Sequence, residues 1–250
     1  MREDLKRAAI VVPCYNEEKR LRPAEFTRCL ETTDVHFVFV NDGSQDNTRE
    51  LLQVLAAAYP TRISILTYNI NRGKAEAVRL GINFAISRQV EFVGFWDADL
   101  ATPLDELAHF IDVLTERAEV EMVLGSRVKL LGRNIERRAL RHYLGRLFAT
   151  VVSNVLQLPV YDTQCGAKLL RVTPRVRWLF TAPFTSRWVF DVEMIARYIQ
   201  QVGSAGAAAN HIYEFPLHTW TDVAGSKLKA TDFVVALNDI ARIYFRHLRG

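Results

Sequence analysis

Two carboxylates, Asp97 and Asp99, close the apolar run Val93-Gly-Phe-Trp-Asp97-Ala-Asp99. In an open α/β sheet ligands bind beyond the carboxyl ends of the strands, and a hard cation such as Mg2+ takes one or two carboxylates together with substrate phosphates. A strand ending in Asp-x-Asp therefore predicts a divalent cation held against a phosphorylated substrate. A solvated acidic turn is the alternative for so short a motif, so the other strand ends decide. Val12-Pro13-Cys-Tyr15-Asn16-Glu17-Glu18 closes one and Val40-Asn41-Asp42-Gly43-Ser44 another. Tyr15 offers an aromatic face for a base, and Asp42 an acceptor for a base edge or a ribose. Asn71-Arg72-Gly73-Lys74-Ala75 opens a helix whose N-terminus, with Lys74, favours an anion. It lacks the spaced glycines and the Ser or Thr of a Walker A loop, and the chain has no G-x-G-x-x-G. Nucleoside triphosphate hydrolysis and dinucleotide redox chemistry lose support accordingly.

The elements that must position these residues follow from hydrophobic periodicity. Ala8–Val12, His36–Val40, Arg62–Thr67, Glu91–Trp96 and Val120–Leu124 read as buried strands rich in Val, Ile and Phe. Between them run helical faces, Leu51, Leu52, Val54, Leu55 and Ala58 in one, Ala75, Val78, Ile82, Ala85 and Ile86 in the next. Strands alternating with such helices predict a doubly wound α/β fold with a mostly parallel sheet. After Ser126 the rhythm changes to a basic amphipathic segment over roughly Ile135 to Leu156, a loop, and a Trp-rich helical stretch to about Val202. An apparent strand at His211–Phe215 and a C-terminal helix from about Ala230 complete the chain. The expected organisation is one catalytic domain over 1–230, including a membrane-facing helix at about 135–156, followed by a C-terminal helix over 231–250.

At 250 residues, 49% of them hydrophobic, the chain can bury a large core. The net charge of +4 is unevenly placed: Arg127, Lys129, Arg133, Arg137, Arg138, Arg141 and Arg146 stand against the single acid Glu136. Such a local positive field suits nucleic acid, anionic lipid or a phosphorylated substrate. A nucleic-acid module is disfavoured, since acidic strand ends repel phosphates and the arginines alternate with aliphatic rather than aromatic residues. Leu140, Leu144, Leu147, Phe148, Val151, Val152 and Val155 recur near helical period beside those arginines, which suits an interfacial helix on an anionic membrane. No segment approaches the length of apolar chain that a membrane span needs, and no signal peptide is evident. The three cysteines, Cys14, Cys29 and Cys165, have neither disulfide-frame nor zinc spacing. A cytosolic location, peripheral on the cytosolic face of a membrane, is expected.

Val-Pro-x-Tyr-Asn-Glu, Asn-Asp-Gly-Ser, Asn-x-Gly-Lys-x-x-Ala and Asp97-Ala-Asp99, in that order, resemble the inverting family-2 glycosyltransferases of the GT-A type. Gly125-Ser126-Arg127, Asp162-Thr-Gln-Cys-Gly-Ala-Lys168-Leu, Arg187-Trp-Val-Phe-Asp191-Val-Glu193 and Trp220-Thr-Asp-Val-Ala-Gly-Ser-Lys227-Leu look like the dolichyl-phosphate β-glucosyltransferases. Polyprenyl-phosphate mannose synthases are similar but a step further away. They carry a Gln two residues after the second Asp, where this chain has Ala101. The resemblance therefore implies UDP-glucose as donor and a polyprenyl phosphate as acceptor, with GDP-mannose the alternative donor. Eukaryotic members of the group begin with a spanning helix, so the resemblance implies a bacterial or archaeal relative bound peripherally.

The resemblance further implies a GT-A, Rossmann-like fold with C-terminal amphipathic helices, and a site built residue by residue. Pro13, Tyr15, Glu17, Asp42, Lys74, Asp97 and Ala98 would line the nucleotide, and Asp97 and Asp99 would position Mg2+ or Mn2+ on the diphosphate. Arg127 and Arg141 would hold the acceptor phosphate, because guanidinium forks bind phosphate bidentately, and Lys227 would close over the donor. Structural alternatives stand beside these roles: Glu17 as a turn cap, Lys74 as a surface charge, Asp191 and Glu193 as partners of arginines. Cys165, Trp178 and Trp188 read as packing residues.

Overall fold

The computed structural model describes residues 8–136, 139–223 and 230–249, in backbone alone at 136, 139–144 and 230–234. Strands β1 (Ala8–Cys14), β2 (His36–Asp42), β3 (Ile63–Tyr68), β4 (Phe92–Trp96), β5 (Met122–Ser126), β7 (Ala167–Arg171) and β8 (Ile212–Pro216) form one sheet in the order β3-β2-β1-β4-β7-β5-β8. A short pair, β6 (Asn134–Glu136) with β9 (Thr219–Thr221), stands apart. Helices α1 (Pro23–Thr32), α2 (Thr48–Ala58), α3 (Lys74–Ser87) and α4 (Glu106–Glu116) cross over between the first five strands. Helix α5 (Ala139–Leu156) precedes β7, and α6 (Pro174–Leu179), α7 (Phe190–Val202) and α8 (Ala205–Ala209) lie between β7 and β8. Helix α9 (Ala230–Ile243) runs into a π turn over Tyr244–Leu248.

Strand β1 is buried on both faces, as a central parallel strand covered by helices must be. Ala9 and Val11 face a core that includes Val78, Ile82, Phe190 and Ile240, whereas Ala8, Ile10 and Val12 face another built around Phe26, Phe37, Leu107 and Phe110. These two layers fix the register, because a slip of one residue would exchange every side chain between them.

The first five strands and helices α2 and α3 coincide with the periodicity of the sequence. Strand β7 does not, since its segment reads as loop. It runs antiparallel to both neighbours, with Trp96 opposite Ala167 and Leu124 opposite Lys168. Its beginning, rather than its end, therefore reaches the edge where β1, β2, β4 and β5 finish. The basic amphipathic segment also differs from expectation. Val152 and Leu156 are fully buried, and Phe148 and Val155 pack against the same core. Leu147 of that face is exposed, and the rest of its described part packs wholly or partly toward the protein interior. Trp178 and Trp188 are each 40% exposed, not packed inside.

Glu193 shows how the helical half is fastened. Fully buried on α7, it sits 2.8 Å from Arg197 and accepts the Thr185 N–H at 2.7 Å, with His247 Nε2 3.4 Å away. Arg197 in turn donates to the carbonyls of Leu179, Ala182 and Pro183. Burial raises the carboxyl's proton affinity, but the His247 hydrogen bond and the Arg197 charge outweigh it and pull the pKa down to about 2. Stability from this group is complete above the unfolded value of 4.5 and is lost as pH falls from there towards 2. Glu193→Gln should lower the unfolding free energy at neutral pH by about 3 kcal/mol. It should also flatten the decline of stability across that acid window, as followed by urea unfolding at stepped pH. An unchanged free energy with an unchanged acid slope would contradict this assignment.

Candidate active site at the carboxyl edge of the sheet

Strands β1, β2 and β4 bring Pro13, Tyr15, Glu17, Asp42, Asp97, Ala98 and Asp99 to one edge, and α3 brings Lys74. The loops after β1 and β2 clasp each other: Asn16 N–H donates to Ser44 Oγ at 3.1 Å, Gln45 N–H to Asn16 Oδ1 at 2.9 Å, and Glu17 N–H to Thr48 Oγ1 at 2.8 Å. Asn16 has φ of 54° and Leu100 φ of 51°. Left-handed backbone at non-glycine residues concentrates where a site is held in tension.

Asp42 is 2% exposed, and its two oxygens accept the N–H groups of Arg72 and Gly73, each at 2.8 Å. Its carboxylate thereby anchors the loop that starts α3. Gly73 takes φ of 93° there, a conformation glycine adopts without penalty. Arg187, just before α7, clamps the same loop through the carbonyls of Asn71 and Arg72, both at 3.2 Å. The result is a fixed position for Lys74, whose Nζ lies 2.6 Å from Asp97 Oδ1. Burial opposes the Lys74 charge, yet Asp97 and then Asp191 hold its ammonium above the ordinary lysine range.

Asp97 is pinned from β7. Its N–H donates to Gly166 O at 2.9 Å, and a Cβ on Gly166 would stand 1.9 Å from Asp97 Oδ2. Lys168, two residues on and fully buried, reaches Asp191 Oδ1 of α7 at 2.5 Å and the Cys165 carbonyl at 2.6 Å. Burial keeps the Asp191 proton affinity raised against the opposing charges of Lys168 and Lys74. Asp97, Lys74, Asp191 and Lys168 thus alternate in charge across β4, α3, α7 and β7. Asp99 lies outside this alternation. Its Oδ1 accepts the Ala101 N–H at 3.1 Å and Arg20 stands 4.0 Å from Oδ2, while burial and then the neighbouring Asp97 raise its pKa. Arg20 also pairs with Glu17.

The donor set fits a divalent cation. Asp97 already has a cation, the Lys74 ammonium, on one oxygen, and the raised proton affinity of Asp99 marks a carboxylate short of positive charge. Ala98 is 4% exposed and belongs to the core, so its part in a nucleotide site falls to its backbone.

Arg127 is engaged otherwise than the sequence suggests. Its Nε and NH2 form a fork on Asp162 at 2.6 and 2.7 Å, its backbone N–H meets the same carboxylate at 3.1 Å, and its guanidinium lies 5.4 Å from the Trp220 ring. Burial disfavours the charge, but Asp162 raises the guanidinium's proton affinity further. Glu214 of β8 accepts the N–H groups of Tyr161 and Asp162. The bidentate face of Arg127 therefore serves the loop leading into β7. Lys227 and the side chain of Arg141 lie outside the described residues. Lys168, Arg20 and Gly166 join the site without having been singled out individually, although Lys168 and Gly166 fall within a motif whose glycine and lysine flank one strand start.

The glycosyl transferase family 2 pattern matches residues 9–175. The chain belongs to that family. A dolichyl-phosphate β-glucosyltransferase of Trichomonas vaginalis is 33% identical over 94% of this chain and 71% of its own length, and the human dolichyl-phosphate β-glucosyltransferase is 31% identical over 98% and 77%. Among solved structures, glucosyl-3-phosphoglycerate synthase from Mycobacterium tuberculosis, in complex with Mn2+, UDP and glucosyl-3-phosphoglycerate, superposes with a TM-score of 0.63 at 16% identity, covering 94% of this chain and 76% of that one. A mannosyltransferase from Pyrobaculum calidifontis, in complex with GDP-Man and Mn2+, gives 0.60 at 16% identity, covering 98% and 64%. The fold of this family-2 glycosyltransferase is GT-A.

Gly166→Ala should displace Asp97 and lower glycosyl transfer by about 100-fold, the scale on which a misplacement of about 1 Å acts. The far-UV circular dichroism should stay unchanged, and a wild-type rate would show that Asp97 does not need this cradle. Arg127→Ala should destabilise the protein by about 3 kcal/mol, as breaking a buried pair does. Urea unfolding measures it, and an unaltered midpoint would remove the anchoring role.

Proposed function

We propose that this glycosyltransferase moves glucose from UDP-glucose to a polyprenyl phosphate of the dolichyl type, with inversion, giving a β-linked lipid-phosphate sugar. The observation that carries the reading is the Asp97–Lys74–Asp191–Lys168 alternation with Asp99 beside it, at the edge where an α/β sheet binds its ligand. Identities of about 30% to dolichyl-phosphate β-glucosyltransferases over nearly the whole chain support the acceptor and the sugar.

In this reading Pro13, Tyr15 and the backbone at Ala98 line the base and ribose, and Asp42 and Glu17 keep their loops in place while bordering the nucleotide. Asp97 and Asp99 hold Mg2+ or Mn2+, which when bound neutralises charge on the departing nucleoside diphosphate. Lys74 holds the Asp97 carboxylate in orientation. The acceptor's phosphate oxygen is already anionic near neutral pH, so the chain supplies orientation and positive charge rather than a strong base. Arg141 and Lys227 are assigned to the acceptor phosphate and the donor diphosphate, and Arg127 to the acceptor side through the loop it holds and the guanidinium edge that Asp162 does not cover. In-line attack on the anomeric carbon inverts it.

No helix among the described residues is long and apolar enough to cross a membrane. We assign access to a lipid substrate to a docking face on the cytosolic side. Arg246 reaches Thr185, two residues before Arg187, at 2.9 Å, and Tyr244, Phe245 and Trp188 are exposed. Aromatic side chains among arginines suit an anionic lipid surface. The catalytic unit is assigned to residues 1–230, with the final helix over 231–250 contributing to that face.

The test uses radiolabelled UDP-glucose or GDP-mannose with polyprenyl phosphate in detergent, Mn2+ present, and extraction of the organic phase. Label should enter from UDP-glucose, and Asp99→Ala should reduce it by at least about 100-fold with the fold intact. Label entering from GDP-mannose instead, or full activity in the variant, would overturn the donor or the metal assignment respectively.

A further inference from the structure

A second cluster of ligating groups lies where α4 begins, on residues that the transfer reaction does not use. Glu106, 4% exposed, accepts the backbone N–H groups of His218 and Thr219 on Oε1 at 2.7 and 2.9 Å, and its Oε2 lies 3.0 Å from His218 Nδ1. His109 follows Glu106 by three residues, which places both on one helix face. Its ring stands 4.6 Å from that of His218, and Phe215 stacks on it at 5.8 Å with an interplanar angle of 11°. One ligand atom from each of Glu106, His109 and His218 lies within 4.8 Å of the other two.

We propose that Glu106, His109 and His218 form a binding site for a borderline divalent transition metal of the Zn2+ class, separate from the Asp97–Asp99 pair. Two imidazoles with one carboxylate suit zinc, cobalt, nickel or copper and not magnesium. Bonds of about 2.0–2.1 Å in a tetrahedral shell put neighbouring ligand atoms roughly 3.3 Å apart, close to the 3.0 Å between Glu106 and His218. The carboxylate is already oriented by two backbone donors on its other oxygen, the outer support that ligating carboxylates require. Both histidines reach solvent, which leaves an entry path and a fourth position for water.

The location gives the ion a mechanical consequence. Helix α4 directly follows the loop that carries Asp97 and Asp99, and β9 directly follows His218, with Thr221 N–H donating to Ala101 O at 3.0 Å. A bound ion staples the segment after β8 to the loop of the donor site.

The experiment titrates Co2+ into the full chain after chelator treatment and dialysis, in buffer with excess Mg2+ to saturate the oxygen-rich site. Ligand-field absorption reports the coordination, and Zn2+ then displaces the cobalt. One equivalent should bind with a tetrahedral-type spectrum and raise the thermal midpoint. His109→Asn, at an exposed position where the fold is safe, should weaken binding by at least ten-fold and remove the thermal shift. Asp99→Asn should leave both unchanged. Absence of uptake in the wild type, equal uptake in His109→Asn, or uptake lost in Asp99→Asn would each overturn the site and leave Glu106–His218 as a structural pair. None of these readouts depends on which sugar or lipid the enzyme uses.

Discussion

The structure depends on a line of alternating charges, Asp97, Lys74, Asp191 and Lys168, each delivered by a different element. A fully buried lysine in a central strand is tolerable only with a carboxylate and a carbonyl in reach, because desolvating an unpaired ammonium costs several kcal/mol. Asp191 and the Cys165 carbonyl meet that need for Lys168. Asp191, being equally enclosed, is in turn placed within the field of Lys74. Remove Lys168 or Asp191 and the other becomes an uncompensated interior charge, whereas Lys74 and Asp97 at the outer end keep contact with solvent. The line is therefore cooperative, and it ties sheet order to site geometry.

That requirement explains the reversed strand. A parallel β7 would carry its carboxyl end to the ligand edge, leaving Gly166 and the loop before it at the opposite side. Because β7 runs the other way, its entry loop arrives beside β4, so that the Gly166 carbonyl binds the Asp97 N–H and Lys168 points into α7 one pleat later. The same loop is gripped from the far side by Arg127 of the segment after β5 and by Glu214 of β8. Conserving a catalytic geometry here means conserving a strand direction.

The alternating half of the fold was legible because each strand from β1 to β5 is a continuous apolar run between helical periods, and the polar residues at their ends named the site edge. Strand β7 was not, since Ala-Lys-Leu-Leu-Arg is short, carries a lysine at its second position and lacks β-branched residues. Only the partner across the sheet makes that lysine an interior residue. Distance in sequence hid the rest. Arg127 finds Asp162 35 positions away, and Glu106 finds His218 112 positions away. Asp191 and Glu193 were indistinguishable as carboxylates two residues apart on one helix, yet the turn of α7 sends Glu193 to Arg197 and Asp191 to the lysines of the site. The apolar face of α5 was legible as a face but not as to what it covers, since core and lipid ask for the same residues.

The balance of charge at the edge says what kind of ligand the proposed reading requires. Asp97, Asp99 and Asp191 face Lys74 and Lys168, Arg20 is shared with Glu17, and Arg22 reaches the Asp99 carbonyl at 3.5 Å. A nucleoside diphosphate set directly against the Asp97 and Asp99 carboxylates is repelled by them unless positive charge comes between, and at a few ångströms in a partly dry site such repulsion amounts to several kcal/mol. A divalent cation held by Asp97 and Asp99 would reverse the sign locally and offset the burial and the Asp97 charge that raise the proton affinity of Asp99. The same accounting separates donor from acceptor. In the proposed reading the carboxylate edge would take a metal-bound diphosphate, and the arginine-rich stretch beyond β5 the anionic lipid phosphate. The attacking acceptor phosphate and the departing diphosphate would then lie on opposite sides of the donor's anomeric carbon without sharing a binding charge, as inversion demands.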